Sequence, residues 1–296
     1  MYMFEKVLIA LDFSPYSQKI LDHISEIPGI QEVILLHVVN DTQPARVELT
    51  DGHFHIEDPK ILLKEKKEYL LHLGLKVRIS TDVIVSAITQ GPVSHAILEV
   101  AETENVSLIV IGARGINPIQ ELLLGSVSSS VIRHAKTNVL LLHFSPEPDT
   151  AGSSPASSRK RLFSKVLAPT DFSTPAGDVL SLVKTIPGTN EVILLHVVNR
   201  AESQSQIDVS VNEAQSRLLN IKKEFEGAGI EVKLHVCVGD PTEMILAVAE
   251  EEDASLIAMS AYGTGWLRDF LLGSTTFTVV RRSKRPVLII RTGHET

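Results

Sequence analysis

The nine residues EVILLHVVN occur twice in this chain, at 32–40 and again at 191–199. The similarity extends upstream, because VLIALDFS at 7–14 is matched by VLAPTDFS at 166–173. A repeat of this kind decides the architecture, since each copy has to build the same series of strands and helices. We therefore expect two similar domains.

The two copies differ in length in their middle. Asp12 corresponds to Asp171, an offset of 171 − 12 = 159 residues. Gly112, which ends AETENVSLIVIG, corresponds to Ser260, which ends AEEEDASLIAMS, an offset of 260 − 112 = 148. The first copy therefore holds 159 − 148 = 11 additional residues.

The segment SPEPDTAGSSPASSRKR, residues 145–161, separates the copies. It is rich in Ser, Pro, Ala and Gly and has no apolar periodicity, which is typical of a solvated linker. We predict a first domain over 1–144, a linker over 145–161 and a second domain over 162–296. A chain of 296 residues accommodates two domains of about 100 to 200 residues each.

The composition and charge of the chain argue against several classes of function and partner. The net charge is −8, no basic stripe is present and only 5% of the residues are aromatic, which argues against nucleic acid as a partner. The single cysteine, Cys237, cannot form an internal disulfide, which fits a reducing compartment. Glu5 and Asp12 interrupt the apolar residues at the start of the chain, so these residues do not form a signal segment. No apolar run comes near the roughly 20 residues that a membrane-spanning helix needs. We expect a soluble cytoplasmic protein without a membrane partner.

Short runs of Val, Ile and Leu alternate in each copy with longer segments of helical period, such as ILLKEKKEYLLHLG. Continuous apolar strands with helices between them indicate a parallel sheet covered on both faces. Ser14 with Pro15, and Ser173 with Pro175, predict an N-cap and a first-turn proline after the first strand of each copy. The order predicts doubly wound α/β domains, which bind ligands at the carboxyl ends of the strands where strand order reverses.

The segment IGARGINPIQELLLGS, residues 111–126, follows the fourth strand of the first copy. Gly112 and Gly115 place backbone without Cβ where a ligand approaches. Gly125 opens the next helix, whose first N–H groups and dipole favour an anion. Hydroxyl donors from Ser126 and Ser128, and a charge-assisted contact from Arg114, would complete a phosphate cradle.

Spacing alone does not decide between a binding site and a structural role for these glycines. The segment lacks the lysine of a P-loop, and the first strand runs into ALDFSP rather than a glycine-rich dinucleotide turn. Turn and helix-cap chemistry accounts for glycines at such positions as well as a binding site does.

The combination nevertheless resembles a known family. The pattern G-x2-G-x9-G-[ST] after a fourth strand, an aspartate after strand one and a second strand of VILLHV type are similar to the nucleotide-binding universal stress proteins. The resemblance covers both copies, as in a tandem member. It implies two doubly wound five-stranded parallel-sheet domains, Rossmann-like and of the adenine nucleotide alpha hydrolase type. It also implies that ATP or AMP binds across the point where strand order reverses, with or without Mg²⁺.

In the first domain the resemblance places Asp12 beside adenine and ribose, and the backbone of Val38 against the adenine. The glycine segment and the following helix would hold ribose and phosphates. Carried over by position, this site comprises Ala10, Leu11, Asp12, Val38, Ile111, Gly112, Arg114, Gly115, Gly125, Ser126, Val127 and Ser128.

The second domain departs from the pattern in SAYGTGWLRDFLLGST, where Ser260 replaces the first glycine and Tyr262 the arginine. Arg268 is the nearest other cation. Conversely, the second copy keeps Pro169 and Thr170, which the first lacks. We expect the first site to bind more reliably. The second site comprises Pro169, Thr170, Asp171, Val197, Met259, Ser260, Gly263, Gly273, Ser274, Thr275 and Thr276.

Several further residues are assigned structural roles. His37 and His196 recur at one place in strand two, which favours a structural role over a place beside the ligand. Trp266 is expected to pack rather than to cover the site. The metal-capable groups of TDGHFHIED, which are Asp51, His53, His55 and Asp58, are expected to be solvated, and no metal site is predicted.

These observations lead to three hypotheses for the function of the protein. The favoured one is a regulatory or stress-protective binder of ATP or AMP with slow or absent hydrolysis and an unknown protein partner. The alternatives are a Mg²⁺-dependent ATPase or phosphotransferase, for which Asp12 lacks a paired lysine, histidine or second carboxylate, and an interaction module without nucleotide. The final strands NVLLLHF and PVLIIRT would pair antiparallel as an intrachain pseudo-dimer, which covers a sheet edge, and a homodimer of chains is left open.

Overall fold

The computed structural model describes residues 4–40, 47–50, 53–56, 58–86, 92–113, 124–143, 161–198, 204–263 and 272–291. The chain divides into two compact units, Met1–Leu142 and His143–Thr296. Each unit has its own set of five parallel strands and its own core.

The first unit is a doubly wound α/β domain, as predicted. Its sheet has the order β5-β2-β1-β6-β7, and all four pairings are parallel. Strand order reverses at β1, between β2 and β6. Its elements are β1 (Lys6–Ala10), α1 (Pro15–Ile24), β2 (Glu32–Asn40), β3 (Val47–Thr50), β4 (His53–Ile56), α2 (Pro59–His72), β5 (Arg78–Ser86), α3 (Val93–Thr103), β6 (Leu108–Gly112), α4 (Ser126–His134) and β7 (Asn138–Leu142).

The second unit repeats this topology with the order β10-β9-β8-β11-β12, again parallel throughout. The reversal falls at β8, between β9 and β11. Its elements are β8 (Lys165–Pro169), α5 (Thr174–Thr185), β9 (Glu191–Val198), α6 (Gln204–Gly227), β10 (Glu231–Val238), α7 (Pro241–Glu251), β11 (Leu256–Ser260), α8 (Ser274–Arg282) and β12 (Val287–Ile290).

The central strands are buried because helices cover both faces. All five residues of β6 are buried, as are the first four of β11. α3 packs against α4 and α7 against α8. This layering explains why the strands read as continuous apolar runs rather than as alternating ones.

The predicted helix boundaries are confirmed where a cap marks them. The Ser14 side chain accepts a hydrogen bond from Ser17 N, and Ser173 accepts one from Ala176 N. Past α2 and α6, Gly74 and Gly229 have φ of +81° and +80°, the left-handed conformation of a C-terminal cap. α6 begins at Gln204, upstream of the segment NEAQSRLLNIKKEFEGAG whose periodicity predicts it.

The inserted segment of the first unit is a hairpin, not the simple solvated loop expected. β3 and β4 pair antiparallel, with Thr50 opposite His53. The missed signal is Asp51-Gly52 between two short segments with β-forming residues, a typical hairpin turn.

A cluster of charged side chains joins the amino ends of strands in the second unit. Lys165 Nζ lies 3.0 Å from Glu252 Oε2, and Lys233 Nζ lies 2.8 Å from the same oxygen. His235 Nε2 lies 3.1 Å from Glu252 Oε1. The hydrogen bonds from Lys233 and Lys165 lower the pKa of Glu252 to about 2.

We expect this cluster to lose its stabilising effect in acid. A carboxyl group with a folded-state pKa below its ordinary 4.5 stabilises the fold above pH 4.5, and the contribution disappears as the pH falls through the folded pKa of about 2. In thermal unfolding, wild type should therefore exceed Glu252→Gln in Tm by more at pH 7 than at pH 3. Glu251→Gln, at an exposed neighbouring position, is the control. A Tm difference that does not change with pH would contradict the assignment.

Candidate functional site

The turn after β8 holds the Asp171 carboxylate in place. Asp171 Oδ1 accepts hydrogen bonds from Ser173 N at 3.0 Å and from Ser173 Oγ at 2.5 Å. In the first unit Asp12 Oδ1 accepts from Ser14 N at 3.0 Å and from Ser14 Oγ at 2.6 Å. Both aspartates are thus oriented by the serine that caps the following helix.

The phenylalanine between aspartate and serine has an unusual backbone conformation. Phe13 and Phe172 have φ of 57° and 60°, in the left-handed region that costs a residue with a side chain about 1–3 kcal/mol. The same strained turn in both units indicates a shared constraint at this site. Each ring packs on the histidine of the neighbouring strand, with centroids 4.3 Å apart for Phe13 and His37 and 4.4 Å apart for Phe172 and His196.

The two histidines also bind the turn directly. His37 Nδ1 lies 2.7 Å from the Leu11 carbonyl oxygen, and His196 Nδ1 lies 2.8 Å from that of Thr170. Burial lowers the pKa of His37 below 6.5, so its ring is neutral at pH 7 and donates its Nδ1–H to the carbonyl. This geometry supports the structural role predicted for both residues, and His196 in addition lines the cavity described below.

The helices α4 and α8 begin at the carboxyl ends of β6 and β11. Gly125 N donates to Ala113 O at 2.9 Å, and Gly273 N donates to Ala261 O at 2.8 Å. The first backbone hydrogen bonds within these helices are donated by the amides of Ser129 and Phe277. The amides of 126–128 and 274–276 come before them and therefore have no acceptor within the helix. Amides at the N-terminus of a helix have the geometry and dipole that suit an anion.

The role expected for the Ser128 hydroxyl is wrong in one respect. Ser128 Oγ donates its proton to Gly112 O at 2.7 Å, and Thr276 Oγ1 donates to Ser260 O at 2.9 Å. Because a hydroxyl has one proton, neither side chain donates a second hydrogen bond to a phosphate. At these two positions the backbone N–H is the donor that remains.

Conformation does not explain the glycines that cap α4 and α8. Gly125 has φ −60° and ψ 152°, and Gly273 has φ −58° and ψ 144°, which any residue adopts. A Cβ at Gly125 would lie 3.5 Å from Ala113 O, and one at Gly273 would lie 3.4 Å from Ala261 O. Among the described residues nothing therefore prevents a side chain at either position, and packing against them does not require glycine here.

Gly263 has a different reason to be glycine. A Cβ at this position would lie 2.5 Å from Asp171 Oδ2. The predicted meeting of the aspartate with the glycine segment is therefore direct in the second unit.

A cavity of about 280 Å³ opens where strand order reverses in the second unit. All the residues predicted for the second site line it. Five residues outside that prediction line it too, and among the described lining residues Asp171 is the one carboxylate. The lining comprises Pro169, Thr170, Asp171, Ala176, Leu195, His196, Val197, Pro241, Ile245, Met259, Ser260, Gly263, Gly273, Ser274, Thr275 and Thr276.

The lining residues that sequence reasoning missed come from three elements, β9, α7 and α5. Leu195 and His196 precede the predicted Val197 on β9, and their place at the end of that strand is the signal that indicates them. Pro241 and Ile245 lie on α7, whose approach to the cavity depends on packing between helices rather than on a motif. Ala176 lies one turn into α5 and faces the cavity beside Asp171.

The corresponding positions of the first unit lie at the same carboxyl edge. Ala10 ends β1, Val38 is on β2, Ile111 and Gly112 end β6, and Ser126, Val127 and Ser128 open α4. Leu11 and Asp12 follow β1. Arg114, Gly115, Trp266 and Arg268 lie outside the described residues.

The histidine-rich insert was predicted to hold no metal. Asp58 Oδ1 accepts a hydrogen bond from Lys60 N at 2.9 Å and caps α2. His53 and His55 lie on β4, and Asp51 is outside the described residues. Within the described ranges, no group of three or more His, Cys, Asp or Glu residues is arranged to hold a metal ion.

The part of the chain that the structure describes contains no helix both long and apolar enough to cross a membrane.

The repeated topology and the cavity at the strand reversal define a tandem Rossmann-like α/β protein. Residues 3–143 and 162–291 each match the Universal stress protein family, so the chain belongs to the universal stress protein family.

Individual relatives agree with this assignment. The chain is 35% identical over 155 residues to Universal stress protein MJ0577 of Methanocaldococcus jannaschii, an alignment that covers 44% of this chain and 96% of that protein. It is 33% identical over 150 residues to Universal stress protein YxiE of Bacillus subtilis, covering 47% of this chain and 99% of the relative. These single-domain lengths match one copy of the repeat.

The crystal structure of a universal stress protein from Archaeoglobus fulgidus is similar over both copies. It aligns with a TM-score of 0.66 and 25% identity, covering 99% of this chain and 100% of that one. The tandem arrangement of two domains therefore occurs in a solved relative.

Proposed function

We propose that the second domain binds an adenine nucleotide, ATP or AMP, in the cavity at the strand reversal, and that the first domain does so at the equivalent place. One observation carries the proposal. The residues that a nucleotide-binding motif assigns to the second site, although they come from 169 to 276 in the sequence, all line a single cavity. Its volume of about 280 Å³ is near the lower end of small-molecule sites, about 300–1,000 Å³.

The chemistry of the lining fits a nucleotide part by part. The Asp171 carboxylate, held by Ser173, is an acceptor suited to ribose hydroxyls. Val197, near the carboxyl end of β9, offers backbone groups to a base. The amides at the start of α8 are suited to phosphates, which supply the negative charge that a helix N-terminus favours.

The two domains differ in the residues beside the base. In the second domain, Thr170 lines the cavity, and its Oγ1 accepts a hydrogen bond from Phe172 N at 3.0 Å. The hydroxyl proton of Thr170 is not used in this bond. Leu11 stands at this position in the first domain and has no polar side chain. The expectation that the first domain binds more reliably stays a prediction, because it rests on Arg114 and the glycines.

Identification of the bound molecule is the decisive experiment. Mass spectrometry of material extracted from the purified, unheated protein should find ATP or AMP, and calorimetry of stripped protein should show binding of both. Asp171→Asn and Asp12→Asn, made separately and together, assign the binding to each domain. A protein that emerges without nucleotide and gives no heat with ATP or AMP would instead support the interaction-module alternative.

The same preparation tests the enzyme alternative. Phosphate release with Mg²⁺ and ATP at rates of about 1 s⁻¹ or more, within the ordinary range for enzymes, would contradict a binder with slow or absent hydrolysis. Release far below that rate is expected.

Replacing Gly263 by alanine should displace Asp171. The added Cβ would lie 2.5 Å from Asp171 Oδ2, so the carboxylate has to leave the position in which Ser173 holds it. We expect calorimetry to show about a tenfold loss of nucleotide affinity in the second domain, the value of one hydrogen bond to a charged group. Gly227→Ala, where nothing lies within 4 Å of the added Cβ, is the control. Equal affinities in the two variants would count against a role for Asp171.

The regulatory or stress-protective role, the cytoplasmic location, the unknown protein partner and the pairing of the final strands as a pseudo-dimer stay predictions. Sedimentation of the full chain at several concentrations distinguishes a monomeric chain from a homodimer.

A further inference from the structure

A second cavity of about 400 Å³ lies between α5 and α6 of the second domain. It shares Thr170 with the cavity described above, but otherwise its lining is different. Two helix positions with small side chains, Gly177 and Ser181, form one wall, and Arg217, Asn220 and Glu224 on α6 form the other. We call this space the α5/α6 groove.

The repeat shows what the first domain has in the same place. The bond from Leu75 N to Leu70 O, at 3.2 Å, corresponds to the bond from Ile230 N to Phe225 O, at 3.1 Å, after the two equivalent helices. Equivalent residues of α2 and α6 therefore differ in number by 225 − 70 = 155, so Tyr69 of the first domain corresponds to Glu224 of the second.

In the first domain, side chains on α1 and α2 reach across this space to each other. Tyr69 Oη donates to Asp22 Oδ1 at 2.6 Å, and Lys66 Nζ donates to Gln18 Oε1 at 2.8 Å. On α5, the offset of 159 puts Ser181 in place of Asp22 and Gly177 in place of Gln18. The second domain lacks the residues for these two contacts, and the small side chains of Gly177 and Ser181 leave space beside α6.

The lining of the groove carries one positive charge, on Arg217, that no described carboxylate neutralises. The Arg217 guanidinium lies 3.9 Å from the centre of the Phe172 ring, and it forms an ion pair with none of the described carboxylates. Lys184 Nζ is 3.0 Å from Glu224 Oε2, an ion pair between a partly buried lysine and an exposed glutamate. Leu62 occupies the place of Arg217 in the first domain, at the same offset of 155, so this cation belongs to the second domain alone.

The Phe172 ring fixes the guanidinium in position. It is itself held by stacking on His196, with ring centroids 4.4 Å apart. A guanidinium with one face on an aromatic ring keeps its N–H edge free for a planar anion, and its geometry matches the two oxygens of a carboxylate or phosphate.

We propose that the α5/α6 groove binds a small organic anion, a carboxylate or a phosphate monoester, with Arg217 as the main charged contact. Ser181 and Asn220 supply further hydrogen bonds from the two walls. The volume of about 400 Å³ admits a ligand with an apolar body as well as its anionic group, since Leu180, Ile221 and Phe225 line the floor. The proposal is independent of nucleotide binding in the neighbouring cavity.

Benzoate and phenyl phosphate, titrated separately into the full chain, test the site and distinguish the two anions. In ¹H–¹⁵N NMR spectra we expect saturable shifts of the Arg217 side-chain N–H and of the amides of 181, 184 and 220. Arg217→Leu, which installs the residue of the first domain at an exposed position, should weaken binding about tenfold to a hundredfold. Arg281→Leu removes the same charge from α8, where the guanidinium lies 5.8 Å from the Phe277 ring, and should leave the affinity unchanged.

A second variant tests the groove without touching the arginine. The double change Ser181→Asp with Glu224→Tyr installs the crossing pair of the first domain and should abolish the shifts, while circular dichroism checks that the domain is folded. Shifts confined to residues of the neighbouring cavity, the absence of saturable shifts with either anion, or equal affinities for the two arginine variants would overturn the proposal.

Discussion

Replacing Gly273 by valine is expected to lower the affinity of the second domain for ATP or AMP by about a hundredfold or more while the domain stays folded. The backbone at Gly273 has φ −58° and ψ 144°, which valine adopts readily. Its Cβ would lie 3.4 Å from Ala261 O and 3.9 Å from Thr276 Oγ1, at ordinary contact distances. The two methyl groups beyond it would occupy cavity space next to the amides that open α8, and the loss of two or more charge-assisted hydrogen bonds accounts for the expected factor.

Isothermal titration of nucleotide into the Asp12→Asn background, in which binding by the first domain is weakened, measures this change. The structural cost is expected to be about 1 kcal/mol, because valine is less favourable than glycine at an N-cap. Gly125→Val is the matched variant in the first domain. If Gly273→Val binds nucleotide with full affinity, the N-terminus of α8 is not part of the binding site.

Replacing Leu194 by alanine should lower the free energy of unfolding of the second domain by about 2–5 kcal/mol. Leu194 is 0% exposed on β9, and it lies between Ala168 on β8 and Leu234 on β10 in the sheet register. Truncation removes buried apolar contact and leaves a cavity in a densely packed layer. Leu195, the next residue, lines the candidate cavity and Leu194 does not, so the stability effect is separate from the ligand contact.

Hydrogen exchange measured peptide by peptide shows which domain is destabilised. Leu194→Ala should raise exchange in strands of the second domain, and Leu35→Ala, the same position of the repeat and also 0% exposed, should raise it in the first. Leu219→Ala, at a side chain 50% exposed on α6, should change stability by less than about 0.5 kcal/mol. A loss for Leu219→Ala equal to that for Leu194→Ala would contradict the packing argument.

Much of the fold was predictable because local signals agreed with the architecture. The repeat predicted two domains, the apolar runs predicted a parallel sheet, and Ser14 and Ser173 predicted helix starts that the structure confirms. The hairpin of β3 and β4 was missed, although Asp51-Gly52 is a recognisable turn signal, because its strands are only four residues long.

The candidate site was predictable for a geometric reason. In a parallel sheet the carboxyl ends of neighbouring strands lie along one edge, so Pro169, Val197 and Met259 share a cavity although they are far apart in the sequence. Residues on α7 were not predictable in this way, since no motif says how closely that helix approaches the edge.

The amino-acid sequence by itself determined that this protein is a tandem of two similar α/β domains and which strand ends and helix starts line the cavity of the second domain. These properties depend on periodicity, caps and repeat spacing, which act over a few residues. Only the tertiary structure decided that Ser128 and Thr276 donate their hydroxyl protons to the backbone, that Gly263 lies against Asp171, and that α5 and α6 leave a groove beside Arg217. Such contacts join side chains remote in the sequence, and differences of an ångström or less between them decide whether a hydrogen bond, a clash or an open space results.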